Sequence, residues 1–201
     1  MTAPGEIALF PLRTVLFPGG PLALRIFEPR YLDMVRGVLR TQSDFGVLQI
    51  LSGGEVGAAQ TVDIGTGARI VDFSELPDGL LGISCRGTRR FRVKSRRLER
   101  DGLNVGVVDW LDEPAPTALP AEFAPLGQLA QALLAEFTDA YAGVEPRLDD
   151  ADWVGYRLSE ILPLSPSGKQ RALELDDAVA RLELLAAFTA GLSGRRQARD
   201  A

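Results

Sequence analysis

The feature that most constrains this chain is a change of hydrophobic period at a proline-rich break. Residues 112–120 carry Pro114, Pro116 and Pro120. Proline fixes φ and removes a backbone donor, so this stretch suits neither a helix nor a sheet interior. Before it, short apolar runs with a period near two are interrupted by turn signals; after it, apolar residues recur every three to four positions. Strands first and helices afterwards is the pattern of an α+β protein. The expected organisation is a β unit over 5–111 with one short helix, a linker over 112–120, a three-helix bundle over 121–192 and a frayed tail over 193–201.

Within the first unit, apolar runs at 7–12, 15–17, 22–27 and 45–51 read as strands, with the sharpest break at Pro18, Gly19, Gly20 and Pro21. Residues 28–39 read as a short amphipathic helix, because Tyr31, Leu32, Val35, Val38 and Leu39 recur at helical spacing. Pro29 suits the first helical position, and the Glu28 carboxylate sits where the helix dipole favours an anion. Four further strands are expected at 64–73, 80–85, 88–97 and 103–110, joined by turns such as Pro77, Asp78, Gly79 and Asp101, Gly102. In the third, Phe91 and Val93 alternate with Arg90, Arg92, Lys94 and Arg96, which points the basic residues at water. The helical unit shows patterns at 121–141, 152–162 and 169–192.

Composition removes several classes of chemistry. None of the 201 residues is histidine, so an imidazole base, a Ser/His/Asp arrangement and a histidine-bound metal are excluded. Cys85 is the single cysteine and supplies neither a disulfide nor the thiolates of a structural zinc site. No Walker A pattern occurs. The expectation is no cofactor and no metal. The first ten residues lack the basic and apolar regions of a leader, and no stretch approaches the roughly 18 apolar residues of a membrane span. A cytoplasmic protein with no membrane partner is therefore expected.

One set of motifs is specific. Phe10, Pro11, Leu12, then Val15 to Gly19, then Ile26, Phe27, Glu28, Pro29, Arg30, Tyr31 resembles the opening of the Lon protease N-terminal, or substrate-binding, domain. Gly65 to Ile70, then Leu76, Pro77, Asp78, Gly79, then Gly87, Arg90, Phe91 is similar to that family's second block. Trp153 to Leu164, with Lys169, Gln170, Leu173, Leu175 and Leu182, resembles its helical third. The resemblance implies a PUA-like mixed β pseudo-barrel followed by a small helical bundle, in a stand-alone bacterial protein of the quality-control type. It implies binding of unfolded or extended polypeptide, or of a protein partner, without catalysis, and a homodimer is compatible with it. Glu28, Pro29, Arg30 and Pro77, Asp78, Gly79 stand as structural motif residues.

Three candidate sites follow. The glycine run Ser52, Gly53, Gly54, Glu55, Val56, Gly57 reads as a loop at the barrel rim, beside a groove where an extended peptide adds to a strand edge. Phe17, Phe27, Tyr31, Leu51 and Val56 are the candidate contacts, although the aromatic residues also suit a core. From Arg86 to Arg100 there are eight basic residues and one acid, Glu99. This invites RNA binding through Arg89, Arg90, Arg92, Lys94 and Arg96. Eleven acids against two arginines over 109–160 offer the opposite charge, and Phe91 is the sole aromatic in the basic run, so a base-stacking platform is lacking. Ser165, Ser167 and Lys169 admit a Ser/Lys dyad, against the simpler reading of Ser167 as a helix cap and Lys169 as a solvated cation. Cys85 reads as a small buried hydrophobe.

Overall fold

The computed structural model describes residues 5–54, 59–113 and 115–197, the last five by backbone alone. The chain divides into two compact units between Glu113 and Pro114.

The first unit is a mixed seven-stranded sheet built from β1 (Glu6–Leu12), β2 (Pro21–Ile26), β3 (Phe45–Gly53), β4 (Ala59–Thr61), β5 (Ile64–Glu75), β6 (Leu81–Leu98) and β7 (Asn104–Trp110). Strands β1, β7, β6, β5 and β3 pair in that order, and β1 pairs back onto β3 in parallel, closing a ring. β4 extends β3 and β2 extends β6 outside it, so the α+β pseudo-barrel expected from the sequence is what forms. Leu9, Leu48, Val62, Phe91 and Val108 make one apolar cluster. A larger one, including Phe10, Phe45 and Val47, packs the sheet against α1 (Pro29–Thr41) through Tyr31, Met34, Val35 and Val38. Proline occupies the first turn of α1, and the helix ends at Gln42 in the left-handed region, one of the ordinary ways a helix terminates.

Three local expectations are corrected. Residues 15–17 are not a strand: Pro18 and Gly19 (φ 72°) form a tight turn closed by Gly20 N–H donating to the Phe17 carbonyl, the geometry that needs glycine third. Residues 80–85 and 88–97 are one 18-residue strand, not two. β6 pairs β5 on one side from Leu81 to Arg92 and changes partner on the other, pairing β2 from Leu81 to Arg86 and β7 from Phe91 to Leu98. Gly87 lies at the junction as a close-approach residue: a Cβ there would sit 2.1 Å from the Phe17 carbonyl oxygen, and its N–H and C=O bond Gly20 and Gly19. Arg90 is also not on the solvent face; it is 1% exposed. It pairs with Thr66, whose hydroxyl donates to the Leu16 carbonyl at 2.6 Å, so the buried segment 15–17 covers that side of the sheet.

The second unit contains a 3₁₀ turn (Ala121–Phe123), α2 (Ala124–Glu136), α3 (Ala151–Ile161), α4 (Pro166–Glu174) and α5 (Ala178–Gln197) around Leu126, Ala130, Trp153, Val154, Leu158, Leu182 and Leu185. The helix expected at 169–192 is two helices. They are divided at residues 175–177, where Asp177 Oδ1 accepts from the Val179 N–H at 2.8 Å, as a capping carboxylate does. The first expected helix ends at Glu136 rather than 141. Tyr141 instead donates its hydroxyl to Glu160 of α3 at 2.9 Å. The tail placed at 193–201 is helical as far as Gln197, and residues 198–201 lie outside the described residues.

Arg181 organises this unit. Fully buried on α5, it donates to the Ala172 carbonyl of α4 at 2.9 Å, to Asp152 Oδ1 of α3 at 2.7 Å and to the Leu175 carbonyl, and it stacks 4.1 Å from the Tyr156 ring centroid. A planar guanidinium satisfies such diverging acceptors where an ammonium does not.

Candidate functional site

The signature segment at the start of α1 is built around Arg30. Its guanidinium pairs with Glu28 at 2.7 Å, donates to the Gly102 carbonyl at 2.7 Å and stacks 4.6 Å from the Tyr31 ring centroid. The Glu28 carboxylate makes no capping bond to the helix; Arg30 has taken it instead. Arg30 thereby ties α1 to the β6–β7 turn, and Asp78 in the β5–β6 turn pairs with Arg25 of β2. Both motifs hold the fold.

A concavity of about 430 Å³ opens where β1, β3 and β4 meet β6 and β7. Leu9, Pro11, Leu48 and Leu51 give it an apolar floor, while Gln60, Thr61, Asp63, Arg96 and Asn104 stand at its rim. Its volume falls in the range of ligand sites, and an apolar lining with few convergent polar groups is their usual composition. Arg96 is held there by Nη2, which donates to the Val62 carbonyl at 2.6 Å and to Asp63 Oδ1 at 2.7 Å. β4 forms the outer strand and pairs only with β3 among the described residues.

The candidate contacts scatter. Leu51 is 66% exposed and lines the cavity. Phe27 is 59% exposed but does not line it. Phe17 and Tyr31 are corrected from contact residues to core: Phe17 is 0% exposed, and Tyr31 stacks on Phe10 at 4.0 Å in the interior. Val56 lies outside the described residues. Sequence reasoning missed Leu9, Leu48 and Asn104, which belong to three different strands and share a site only through the closure of the ring.

Three of the eight basic residues of 86–100 pair with the barrel's own acids. Lys94 pairs with Asp109 at 2.7 Å, Arg96 with Asp63 at 2.7 Å, and Arg97 with Glu6 at 2.9 Å and with Glu99. The hydrogen bonds from Arg97 to Glu6 and Glu99 hold its pKa above the ordinary arginine value. Arg89 stacks 5.1 Å from the Trp110 ring centroid. Arg90 is buried and Arg86 donates to the Gly19 carbonyl at 3.3 Å, while Arg92 and Arg100 have no ion pair among the described residues.

The remaining nucleophile candidates are engaged. Ser165, not Ser167, caps α4, accepting from the Gly168 N–H at 3.1 Å. Lys169 is not simply solvated: it donates to the Glu160 carbonyl at 2.6 Å, and burial lowers its pKa against the opposing pull of the Glu160 charge. Neither serine is its hydrogen-bond partner, so no dyad forms. Burial pushes the Cys85 thiol up to about 12. A thiol-specific disulfide reagent is accordingly expected to leave native protein unmodified at pH 8 and to react at once in denaturant, since the thiolate is the nucleophile; rapid native labelling would contradict this burial.

The fold is thus a closed mixed barrel bearing an apolar-floored cavity, with a separate helical unit. Residues 6–190 match the ATP-dependent protease La (LON) substrate-binding domain, and the chain belongs to that family. The crystal structure of a Lon N-terminal domain protein from Xanthomonas campestris is similar at 42% identity and a TM-score of 0.77, covering 90% of this chain and 97% of the other. The N-terminal domain of the Mycobacterium avium complex Lon protease has the same fold at 17% identity and a TM-score of 0.65, covering 92% and 98% of the two chains. Protein cereblon from Xenopus tropicalis is 30% identical over 112 residues, which is 54% of this chain and 24% of that protein. The chain thus spans about a quarter of that relative's length. No helix among the described residues is long and apolar enough to cross a membrane.

Proposed function

We propose that this protein is a non-catalytic module, acting in the cytoplasm, that holds unfolded or extended polypeptide in the cavity between β1, β3 and β4. The observation that carries the reading is the apolar floor of Leu9, Pro11, Leu48 and Leu51 lying beside the outer strand β4. A free strand edge offers backbone hydrogen bonds to any extended sequence, and alternate side chains then enter the adjacent cavity. Such recognition tolerates sequence, as a substrate-binding domain requires. The RNA reading through Arg89, Arg90, Arg92, Lys94 and Arg96 has less support. Phosphate binding needs cations available to release counterions, and Arg90, Lys94 and Arg96 are buried or already paired.

The test is fluorescence anisotropy with a labelled, permanently unfolded protein such as reduced, carboxymethylated lactalbumin. Binding is expected, with Leu51→Asp weakening it about tenfold or more, the equivalent of losing one buried leucine side chain. An excess of single-stranded RNA should not compete. Absence of binding to any unfolded chain, or competition by RNA that the variant does not alter, would overturn the proposal.

A further inference from the structure

Away from the cavity, β5 has an edge that no strand covers. Its outer side pairs β3 only at Thr66–Ala68, and from Arg69 to Glu75 that side has no strand partner among the described residues. Edge strands are ordinarily protected by charge, proline or a covering element. This edge instead carries Val71, 58% exposed, and Phe73, 60% exposed. Which backbone groups it offers follows from the adjoining turn. Leu76 N–H donates to the Leu80 carbonyl at 2.8 Å, so the alternation of an antiparallel ladder turns Ser74 and Asp72 towards β6, and Phe73 and Glu75 outwards. The outward Phe73 N–H is closed only by its neighbour's side chain, Asp72 Oδ1, at 2.9 Å.

We propose that this edge is a self-association surface, where β5 of a second copy pairs antiparallel about a two-fold axis at Phe73. Two outward positions could sit on such an axis. Centring on Glu75 sets two glutamates opposite each other, which is destabilising. Centring on Phe73 sets ring opposite ring and Asp72 opposite the partner's Ser74. Each Phe73 N–H then donates to the carbonyl of the partner's Phe73, and the Asp72 carboxylate that it leaves accepts from the hydroxyl of the partner's Ser74. Residues directly opposite in a ladder share a face, and Phe73 lies opposite Ile83, which lies opposite Leu24. Ile83 is 2% exposed, so the paired rings extend a row that already belongs to the core. A foreign extended chain meets at most some of these pairings; a second copy meets each of them twice. One strand a side is a small interface beside the roughly 1,200 Å² of stable complexes, so the dimer is weak and concentration-dependent. None of the cavity-lining residues belongs to β5, so the dimer carries two cavities, and a long unfolded chain held by both gains avidity.

The experiment is sedimentation velocity of the full chain from low to high micromolar concentration, with urea unfolding as the control for folding. A monomer–dimer equilibrium is expected. Phe73→Pro removes the ring and the outward donor without removing a bond to β6, as an edge strand tolerates, and should weaken dimerisation about tenfold or more. Ser74 reads the register with either sign. Ser74→Asp places a carboxylate opposite the partner's Asp72 and should weaken the dimer, whereas Ser74→Arg should strengthen it, each by about two- to fivefold. The Ser74 pair remains decisive if Phe73→Pro does not fold. A monomer at every concentration overturns the proposal, as does a dimer that none of the three substitutions alters. A wild-type monomer whose binding of unfolded polypeptide is lost in Phe73→Pro also overturns it, in favour of a foreign strand on this edge. Each of these results leaves polypeptide capture in the cavity to be judged by Leu51→Asp.

Discussion

Replacing Arg181 with alanine is expected to lower the unfolding free energy of the helical unit by about 3–5 kcal/mol, the cost of breaking a buried ion pair on one side. The loss is large because the guanidinium serves three elements. Asp152 on α3 would keep a buried carboxylate with no counter-charge, and the carbonyls of Ala172 and Leu175 would lose the donor that closes the end of α4. Arg181→Lys should recover only part of this, since a point charge cannot reach all the acceptors at once. Urea unfolding followed by Trp153 fluorescence, which reports the core of this unit, measures the effect. A change below about 1 kcal/mol would mean the network is ornamental.

The second large effect is expected at Phe91. Its ring is completely buried in the barrel, stands edge-on to Trp110 with centroids 5.7 Å apart and occupies the space that two glycines leave open. A Cβ on Gly46 would lie 2.6 Å from Phe91 Cζ, and one on Gly65 would lie 3.0 Å from the same atom. Phe91→Ala should therefore cost about 3–5 kcal/mol through lost burial and a residual cavity. Gly46→Ala should destabilise the wild type by overpacking and cost less in the Phe91→Ala background, where the space is vacant. Equal costs in both backgrounds would show that the glycine and the ring are not coupled.

These residues also mark how far the sequence carried. Short-range signals were legible: Pro29 and the spacing of Tyr31, Val35 and Val38 placed α1, and the turn residues Pro77 to Gly79 placed the β5–β6 connection. Family motifs made the barrel legible as a whole. What depended on distant partners was not. β6 read as two strands because its change of neighbour from β2 to β7 happens across a glycine whose meaning is set by Phe17, seventy residues earlier. Arg90 read as a surface charge because nothing local says that the 15–17 segment covers it. The break before α5 had a signal that went unused, the Asp176–Asp177 pair ahead of an apolar helical run. The cavity was half legible. Leu51 was among the candidate contacts and lines it, but its floor from β1 and β3 and its polar rim from β4, β6 and β7 converge only after ring closure.

Hydrogen exchange of the full chain, with and without saturating unfolded polypeptide, bears most directly on the account. Protection is predicted to grow at residues 48–53 and 59–63, where the cavity and the β4 edge lie, and to stay unchanged along the outward positions of 86–100. Protection confined to the basic strand, or none anywhere at saturation, would contradict it.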